Sequence, residues 1–123
     1  MGARHFRDLA AWQLANELRR EIIKLTAIGR SARDFRFRDQ IRDASASVSR
    51  NIAEGFGRFG HKEFARYLGI ALGSLSETQN HLIDALDREY LGRSDFDRLW
   101  TLSLRTAKAT TKLLTYLRRN PDP

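Results

Sequence analysis

The amino-acid sequence predicts an all-α fold, an up-down-up-down four-helix bundle formed as a single domain by residues 1–123. Both prolines, Pro121 and Pro123, lie at the end of the chain, so everything before them is free to be helical. Apolar residues recur at gaps of three and four, whereas the sequence lacks period-two alternation and Asn-Gly turns. We therefore expect four helices with short connections, at about 6–28, 32–56, 61–90 and 95–119.

The first two helices are predicted from apolar lines that are separated by turn residues. Gly29 is expected to stop the first helix, and the Ser31 hydroxyl is expected to cap the second. The apolar line of the first helix is Ala11, Leu14, Leu18, Ile22 and Leu25, and that of the second is Ile41, Ala44, Val48 and Ile52.

The last two helices show the same spacing. Ser94 is expected to cap the fourth helix, where Asp95 and Asp97 interact favourably with the positive end of the helix dipole. The apolar lines are Phe64, Leu68, Ala71, Leu75, Leu82 and Leu86 in the third helix, and Phe96, Trp100, Ala107, Leu114 and Leu117 in the fourth.

Composition restricts the classes of function. The chain has 123 residues and no cysteine, which excludes disulfides, thiolate zinc sites and cysteine nucleophiles. The N-terminal stretch lacks the apolar core of a signal peptide. The longest uncharged run, residues 67–76, is far shorter than the roughly 18 apolar residues of a membrane span. We expect a cytoplasmic protein without a membrane partner.

The formal net charge of +7 favours encounters with polyanions such as RNA or DNA. The clearest charge pattern lies in the fourth predicted helix, where basic residues recur every seven positions on one face. This basic ridge is a candidate nucleic-acid-binding surface, and a solvated outer face without a ligand is the alternative. Its members are Arg98, Arg105, Lys108, Lys112 and Arg119.

Small residues form a line in the third predicted helix at Ala65, Gly69, Gly73 and Ser76. A glycine inside a helix costs about 1 kcal/mol relative to alanine, so the two glycines indicate an offsetting contact. Close packing inside the bundle and contact with another protomer are both open explanations. The sequence also holds more apolar residues than four core lines require, which favours self-association. These surplus residues are Trp12, Ile23, Phe35, Phe37, Phe56, Phe59, Tyr67, Ile70, Leu99, Leu102, Leu104 and Leu113.

The three histidines predict neither a catalytic nor a metal site. The sequence has no Glu-x-x-His pair of the kind that holds a di-iron centre, and Glu77 with His81 is more typical of a surface ion pair. No serine lies in a nucleophile-elbow setting. The stretch GFGRFG, residues 55–60, lacks the Lys-Ser or Lys-Thr of a phosphate loop. We expect no enzyme activity, no cofactor, no metal and no small-molecule substrate.

The segment RNIAEGFGR, residues 50–58, is interpreted as the end of the second helix with a structural or assembly role. Asn51 is expected to bond to neighbouring backbone, and Glu54 to pair with an arginine four residues away. The two glycines are expected to let the chain turn. Glu54 and Glu77 are also candidates for contacts across helices or with another protomer.

The chain resembles the four-helix-bundle family of 23S ribosomal RNA intervening-sequence proteins over nearly its whole length. The residues that carry the resemblance are Phe6, Leu9 and Trp12-Gln13, then Gln40-Ile41-Arg42, Asn51-Ile52-Ala53-Glu54-Gly55 with Arg58, Glu63-Phe64, and Ala71-Leu72-Gly73-Ser74-Leu75 with Glu77. The second helix departs from the family at Asp43, which follows Arg42 where paired arginines are common. The lost positive charge at Asp43 slightly weakens the transfer of an RNA-contact role to this turn.

The resemblance implies a cytosolic bundle that assembles as a ring-like homopentamer. A related branch, the accessory proteins of diversity-generating retroelements, binds nucleic acid and reverse transcriptase. The candidate assembly residues are Trp12, Gln40, Arg42, Asn51, Glu54, Gly55, Arg58, Gly69, Gly73 and Glu77.

Two functional hypotheses follow from the sequence. The leading one is a non-enzymatic homo-oligomeric scaffold that binds RNA or another nucleic acid through the basic ridge. The alternative is a protein–protein interaction module in which the positive charge only confers solubility.

Overall fold

The structure, a computed structural model, describes residues 2–122. Over that range the chain forms one 3₁₀ turn, five α-helices and no strand, so the predicted all-α class is confirmed. The elements are the 3₁₀ turn Phe6–Asp8 and the helices α1 Ala10–Leu25, α2 Gly29–Arg33, α3 Phe35–Phe56, α4 His61–Asp87 and α5 Arg93–Arg119.

Four long helices, α1, α3, α4 and α5, enclose the core. Helix α1 packs against α3 and α5, and helix α4 packs against the same two helices. Each long helix contributes fully buried side chains to one continuous cluster, for example Leu18, Ile41, Leu68 and Leu99. Burial of a side chain of this size stabilises the folded state by about 1.5–3 kcal/mol, so these apolar stripes hold the bundle together.

The first helix begins later than predicted. The Asp8 carboxylate accepts hydrogen bonds from the backbone N–H groups of Arg4 and His5, each at 3.1 Å. These bonds close the 3₁₀ turn, and Leu9 then adopts an extended conformation with φ −78° and ψ 127°. The helix predicted over 6–28 is therefore divided into a 3₁₀ turn and helix α1, because the local polar contacts compete with helical continuation.

The connection between α1 and α3 differs most from the prediction. Ser31 is buried, and its hydroxyl donates to the carbonyls of Leu25 at 3.1 Å and Ile28 at 3.3 Å, so it does not cap the second long helix. Gly29 takes a left-handed φ of +73° but begins the short helix α2 instead of ending α1. The residue that caps α3 is Asp34.

Asp34 joins the start of α3 to the connection between α4 and α5. Its carboxylate accepts from the Phe37 backbone N–H at 3.2 Å and from the Tyr90 hydroxyl at 2.7 Å, and Arg88 lies 3.8 Å away. The Tyr90 hydrogen bond lowers the pKa of Asp34 most, followed by the Phe37 amide, and Arg88 lowers it further. The Asp34 charge therefore stabilises the fold.

We expect Asp34→Asn to reduce the free energy of unfolding only where the carboxylate is ionised. Because the folded pKa lies below the unfolded value of 3.8, this stabilisation is fully present above that pH and is lost as the pH falls through the folded pKa. Asparagine is also a good N-cap residue, so the substitution mainly removes the charge. Urea unfolding of the wild type and the variant from pH 7 to pH 2 measures the difference between their free energies of unfolding. If this difference is as large at pH 2 as at pH 7, the Asp34 charge does not stabilise the fold.

Helices α4 and α5 also have ends that differ from the prediction. Helix α4 ends at Asp87, before the predicted position 90, and Glu89 then takes a left-handed φ of +60°. Helix α5 begins at Arg93 with Gly92 as its N-cap, so the prediction of Ser94 as the N-cap is wrong. Arg93 pairs with a carboxylate one turn later at 3.2 Å, which favours a helical start ahead of the serine.

The surplus apolar residues divide into a buried, a partly buried and an exposed group, and Trp12, Phe56, Tyr67 and Leu113 are the partly buried ones. Phe37, Leu99 and Leu102 lie in the core, so the prediction that they are surplus is wrong; α3 and α5 bury wider stripes than one line each. The exposed ones are Ile23, Phe35, Phe59, Ile70 and Leu104, and Ile28, Ile83 and Tyr116 join them on the surface. In residues 2–122, no helix has both the length and the apolar character that crossing a membrane requires.

Candidate functional site

The basic ridge lies on the outer face of α5, and one of its members, Arg98, differs from the rest because it is ion-paired. The Arg98 guanidinium is 3.0 Å from the Glu21 carboxylate on α1 and 3.5 Å from Asp95 on its own helix. Glu17, Asp97 and Arg105 line the same groove between α1 and α5. The Arg98 charge is therefore compensated, and this residue is a weak candidate for a phosphate contact.

The other four ridge residues keep their charge free for a ligand. Arg105, Lys108, Lys112 and Arg119 are exposed, and no carboxylate within the described part of the chain lies within 4.0 Å of them. From the first to the last they extend about 21 Å along the helix, at about 1.5 Å per residue. This distance matches about six base pairs of duplex at about 3.4 Å each. Such a row of cations can contact successive phosphates of a nucleic-acid backbone.

Two of the candidate assembly residues fix the ends of α1. The Trp12 ring is half-buried against the core, 5.2 Å from the Phe6 ring centroid. Arg42 donates from Nε to the Thr26 hydroxyl at 2.7 Å and from Nη2 to the Ile23 carbonyl at 3.4 Å. Arg42 therefore satisfies polar groups at the C-terminal end of α1, which gives it a structural role.

Polar side chains form a row of hydrogen bonds between α3 and α4. Asn51 donates to the Ser47 carbonyl at 2.8 Å and to the Ser47 hydroxyl at 3.0 Å, which is the predicted contact with neighbouring backbone. The Ser47 hydroxyl is also 2.7 Å from the Ser74 hydroxyl on α4. Asn51 thus supports an interhelical hydrogen bond within the protomer.

Glu54, Arg58 and Tyr67 form the next hydrogen-bonded contact in this row. The Arg58 guanidinium donates to the Glu54 carboxylate at 2.7 Å and to the Tyr67 hydroxyl at 2.9 Å. The hydrogen bond that Arg58 donates to Glu54 raises the pKa of Arg58, and the Tyr67 ring centroid lies 5.2 Å from the guanidinium carbon. The predicted pairing of Glu54 with an arginine four residues away is confirmed, and it fixes the chain as it leaves α3.

Gly55 allows two helices to approach each other, and the prediction that it serves a turn is wrong. It is buried inside α3. A Cβ atom added there would lie 2.8 Å from both the Phe64 ring and the Tyr67 Cβ, and 3.3 Å from the Phe64 carbonyl. Only a residue without a side chain fits this contact with α4.

Gly69 and Gly73 have the opposite surroundings. Both are exposed on α4, and a Cβ added at either meets no atom within 4 Å. Close packing inside the bundle is therefore the wrong explanation for these glycines.

The last two candidate assembly residues lie on the surface. Gln40 is exposed on α3. Glu77 is 3.7 Å from His81 Nε2, and Asp84 instead pairs with Arg88 at 3.0 Å. Within residues 2–122 no group of three histidine and carboxylate side chains has an arrangement that could hold a metal ion.

A cleft of about 720 Å³ lies where α4 begins and α5 ends. Its apolar lining includes Ala65, Gly69 and Leu117, and its charged lining includes Arg66 and Arg118. Gly69 has no side chain, and this contributes to the volume of the cleft. Sequence reasoning found the glycine but not the cleft, because the two walls lie about 50 residues apart in the chain.

His61 closes the end of this cleft by tying the C-terminal segment to the start of α4. Its backbone N–H donates to the Asp122 carboxylate, its ring Nδ1 contacts the Asn120 carbonyl, and its Nε2 lies 3.8 Å from the same carboxylate. Asp122 therefore takes the place of a side-chain cap, which Gly60 at the N-cap position does not supply.

Sequence reasoning missed the partners that orient the candidate residues. Thr26, Ser47, Tyr67 and Ser74 hold Arg42, Asn51 and Arg58 in place. Neither the Ser47–Ser74 contact nor the Arg42–Thr26 contact has a sequence signal, since each joins residues from different helices. Tyr67 was visible only as a surplus aromatic residue.

Comparison with known proteins agrees with this fold. The family model described as "23S rRNA-intervening sequence protein" matches residues 7–112. A solved structure of a protein of unknown function from the S23 ribosomal protein family of Bacteroides thetaiotaomicron has a TM-score of 0.77 and 21% identity, and the match covers 85% of this chain and 98% of that one. No curated protein shows significant similarity to the chain. Because the family match spans most of the chain, this protein belongs to the 23S rRNA-intervening sequence protein family.

Proposed function

We propose that this protein is a cytoplasmic, non-enzymatic, homo-oligomeric scaffold that binds RNA or another nucleic acid through the basic ridge. The observation that carries the proposal is the row of four exposed cations on α5, Arg105, Lys108, Lys112 and Arg119, with no carboxylate of residues 2–122 within 4.0 Å. Cations without ion-pair partners, spaced along one helix, can contact successive phosphates of a nucleic-acid backbone. Solubility alone does not require them, because ion-paired charges also keep a surface soluble.

The proposed architecture is the up-down-up-down order of four long helices. Two features support it: α1 and α4 each pack against both α3 and α5, and the connection from α3 to α4 has only four residues, 57–60. Short connections between long neighbouring helices favour antiparallel packing.

The proposed assembly is a ring-like homopentamer, the oligomer that the family resemblance implies. Exposed apolar side chains such as Ile83 and Leu104, together with the open surface at Gly69 and Gly73, support self-association. A ring multiplies the basic ridge around one particle, so several weak ridge contacts act together on one strand. The family's name refers to an intervening sequence of 23S rRNA, and RNA is therefore the first ligand to test.

Binding of a single-stranded RNA oligonucleotide to the intact protein tests the proposal. With four phosphate contacts per protomer and a salt slope of about −0.7 per contact, the affinity is expected to fall roughly 50-fold between 50 and 200 mM salt. Filter binding at the two salt concentrations measures this, with light scattering on the same sample to report the oligomer. A folded oligomer that retains no RNA at 50 mM salt would contradict nucleic-acid binding and favour the protein–protein interaction module.

A further inference from the structure

Phe59 projects from the protomer at the connection between α3 and α4. Its relative exposure is 101%, the highest among the large apolar residues of the described chain. The residue before it, Arg58, is held by Glu54 and Tyr67, and the residue after it, Gly60, has a left-handed φ of +90°. Because the ring is fully exposed and the preceding residue is held in place, burying the ring against a partner would contribute its full hydrophobic stabilisation to binding.

The cleft between the start of α4 and the end of α5 offers a matching recess. Its volume of about 720 Å³ exceeds what one aromatic side chain fills, so part of the connecting loop can enter with the ring. Ala65, Gly69 and Leu117 supply an apolar lining with little side-chain bulk. Arg118 brings a guanidinium group that can stack on an incoming aromatic ring. The Arg66 guanidinium on the same wall is already bound by Glu63 at 3.0 Å and lies over the Tyr67 ring.

Each protomer holds both features but does not join them itself. Phe59 precedes His61, a lining residue of the cleft, by only two positions, yet its ring is left fully exposed. A ring from another copy can enter the cleft that the first copy leaves open. Since every copy carries one projection and one recess, the contact can repeat from protomer to protomer, as the proposed ring requires.

We propose that Phe59 of one protomer inserts into the cleft lined by Ala65, Gly69 and Leu117 of the next. This inference rests on the proposed self-association and assigns a contact to it. It also explains why a helix-destabilising glycine at position 69 borders open space: a side chain there would occupy the recess.

Light scattering on purified full-length variants tests the inference. Phe59→Ser is expected to weaken each protomer–protomer contact roughly 10- to 100-fold, because burial of the ring is lost. Phe35→Ser is the matched control, since Phe35 is also an exposed phenylalanine but lies at the opposite end of α3. An oligomer that dissociates equally in both variants, or in neither, would overturn the inference.

Disulfide cross-linking gives a second readout, because a covalent bond traps the contact even where loss of the Phe59 ring has weakened it. The chain has no cysteine, so a mixture of Phe59→Cys and Ala65→Cys chains can form only engineered bonds. A bond requires the two Cβ atoms to approach within about 4.5 Å, and we expect mild oxidation to yield the mixed dimer in preference to either self-pair. Ser94→Cys, at an exposed site, replaces Ala65→Cys in the control mixture. Equal yields in the two mixtures would overturn the inference.

Self-association, the Phe59 contact and nucleic-acid binding fail in different ways. A wild-type protein that stays monomeric at every concentration overturns both the self-association and the Phe59 contact. An oligomer that persists in Phe59→Ser, with no mixed disulfide, overturns only the Phe59 contact. Loss of RNA retention with an intact Phe59-dependent oligomer overturns only nucleic-acid binding.

Discussion

Gly55→Ala is expected to lower the free energy of unfolding by about 1–2 kcal/mol. The added Cβ would lie 2.8 Å from the Tyr67 Cβ, an atom next to the backbone that cannot rotate away, and 2.8 Å from the Phe64 ring. Overpacking at such a site costs about 2–3 kcal/mol, and the better helix propensity of alanine offsets about 1 kcal/mol of it. Denaturant unfolding followed by circular dichroism measures the difference.

Gly73→Ala is the matched control for this substitution. It makes the same chemical change inside a helix, but a Cβ at position 73 meets no atom within 4 Å. At protein concentrations low enough for the chain to be monomeric, we expect it to raise the free energy of unfolding by about 1 kcal/mol, so the two variants should differ by about 2–3 kcal/mol. Equal stabilities would show that the close contact between α3 and α4 does not constrain the sequence at Gly55.

Neutralising the free part of the basic ridge is expected to have the largest effect on RNA binding. The triple variant Arg105→Gln, Lys108→Gln, Lys112→Gln removes three phosphate contacts if the ridge is the interface. Each contact contributes about 0.7 to 0.9 to the salt slope, so the slope should become shallower by about 2 to 3. Filter binding across a salt series measures it, with circular dichroism to confirm that the variant is folded.

The control triple variant removes the same number of positive charges from residues that are already ion-paired. Lys24 lies 3.8 Å from Glu21, Arg88 lies 3.0 Å from Asp84, and Arg93 lies 3.2 Å from a carboxylate one turn on. Their replacement by glutamine should leave the salt slope within about 1 of the wild-type value. Two equally flattened slopes would show that net charge, and not the α5 surface, governs binding.

The apolar lines were predictable because helical periodicity is local. Ile41, Ala44, Val48 and Ile52 recur at gaps of three and four, and all four are buried. Helix α5 was harder, because Ser103, Thr106 and Thr110 are buried although their hydroxyls make them polar. Each hydroxyl donates to a carbonyl three or four residues earlier, which satisfies the polar group without leaving the core.

The helix ends were less predictable, since a cap depends on which side chain reaches the free amides. Ser31 has the residue type of an N-cap, but it is buried and donates to carbonyls behind it. Asp34 caps α3 while it also accepts from Tyr90, 56 residues further along the chain. No local pattern contains that second partner.

The sequence by itself determined the helical class, the long apolar stripes and the family, because all three are written in local spacing and residue motifs. The tertiary structure decided which surfaces are free to act. The Arg98 guanidinium pairs with Glu21, 77 positions away in the chain, whereas Arg105 and Lys112 have no such ion pair within the described residues. In the same way, Gly55 and Gly69 are the same residue in similar helices, but a neighbouring helix fills the space beside the first and leaves the second open. These differences arise from contacts between distant segments, and such contacts exist only once the helices have packed.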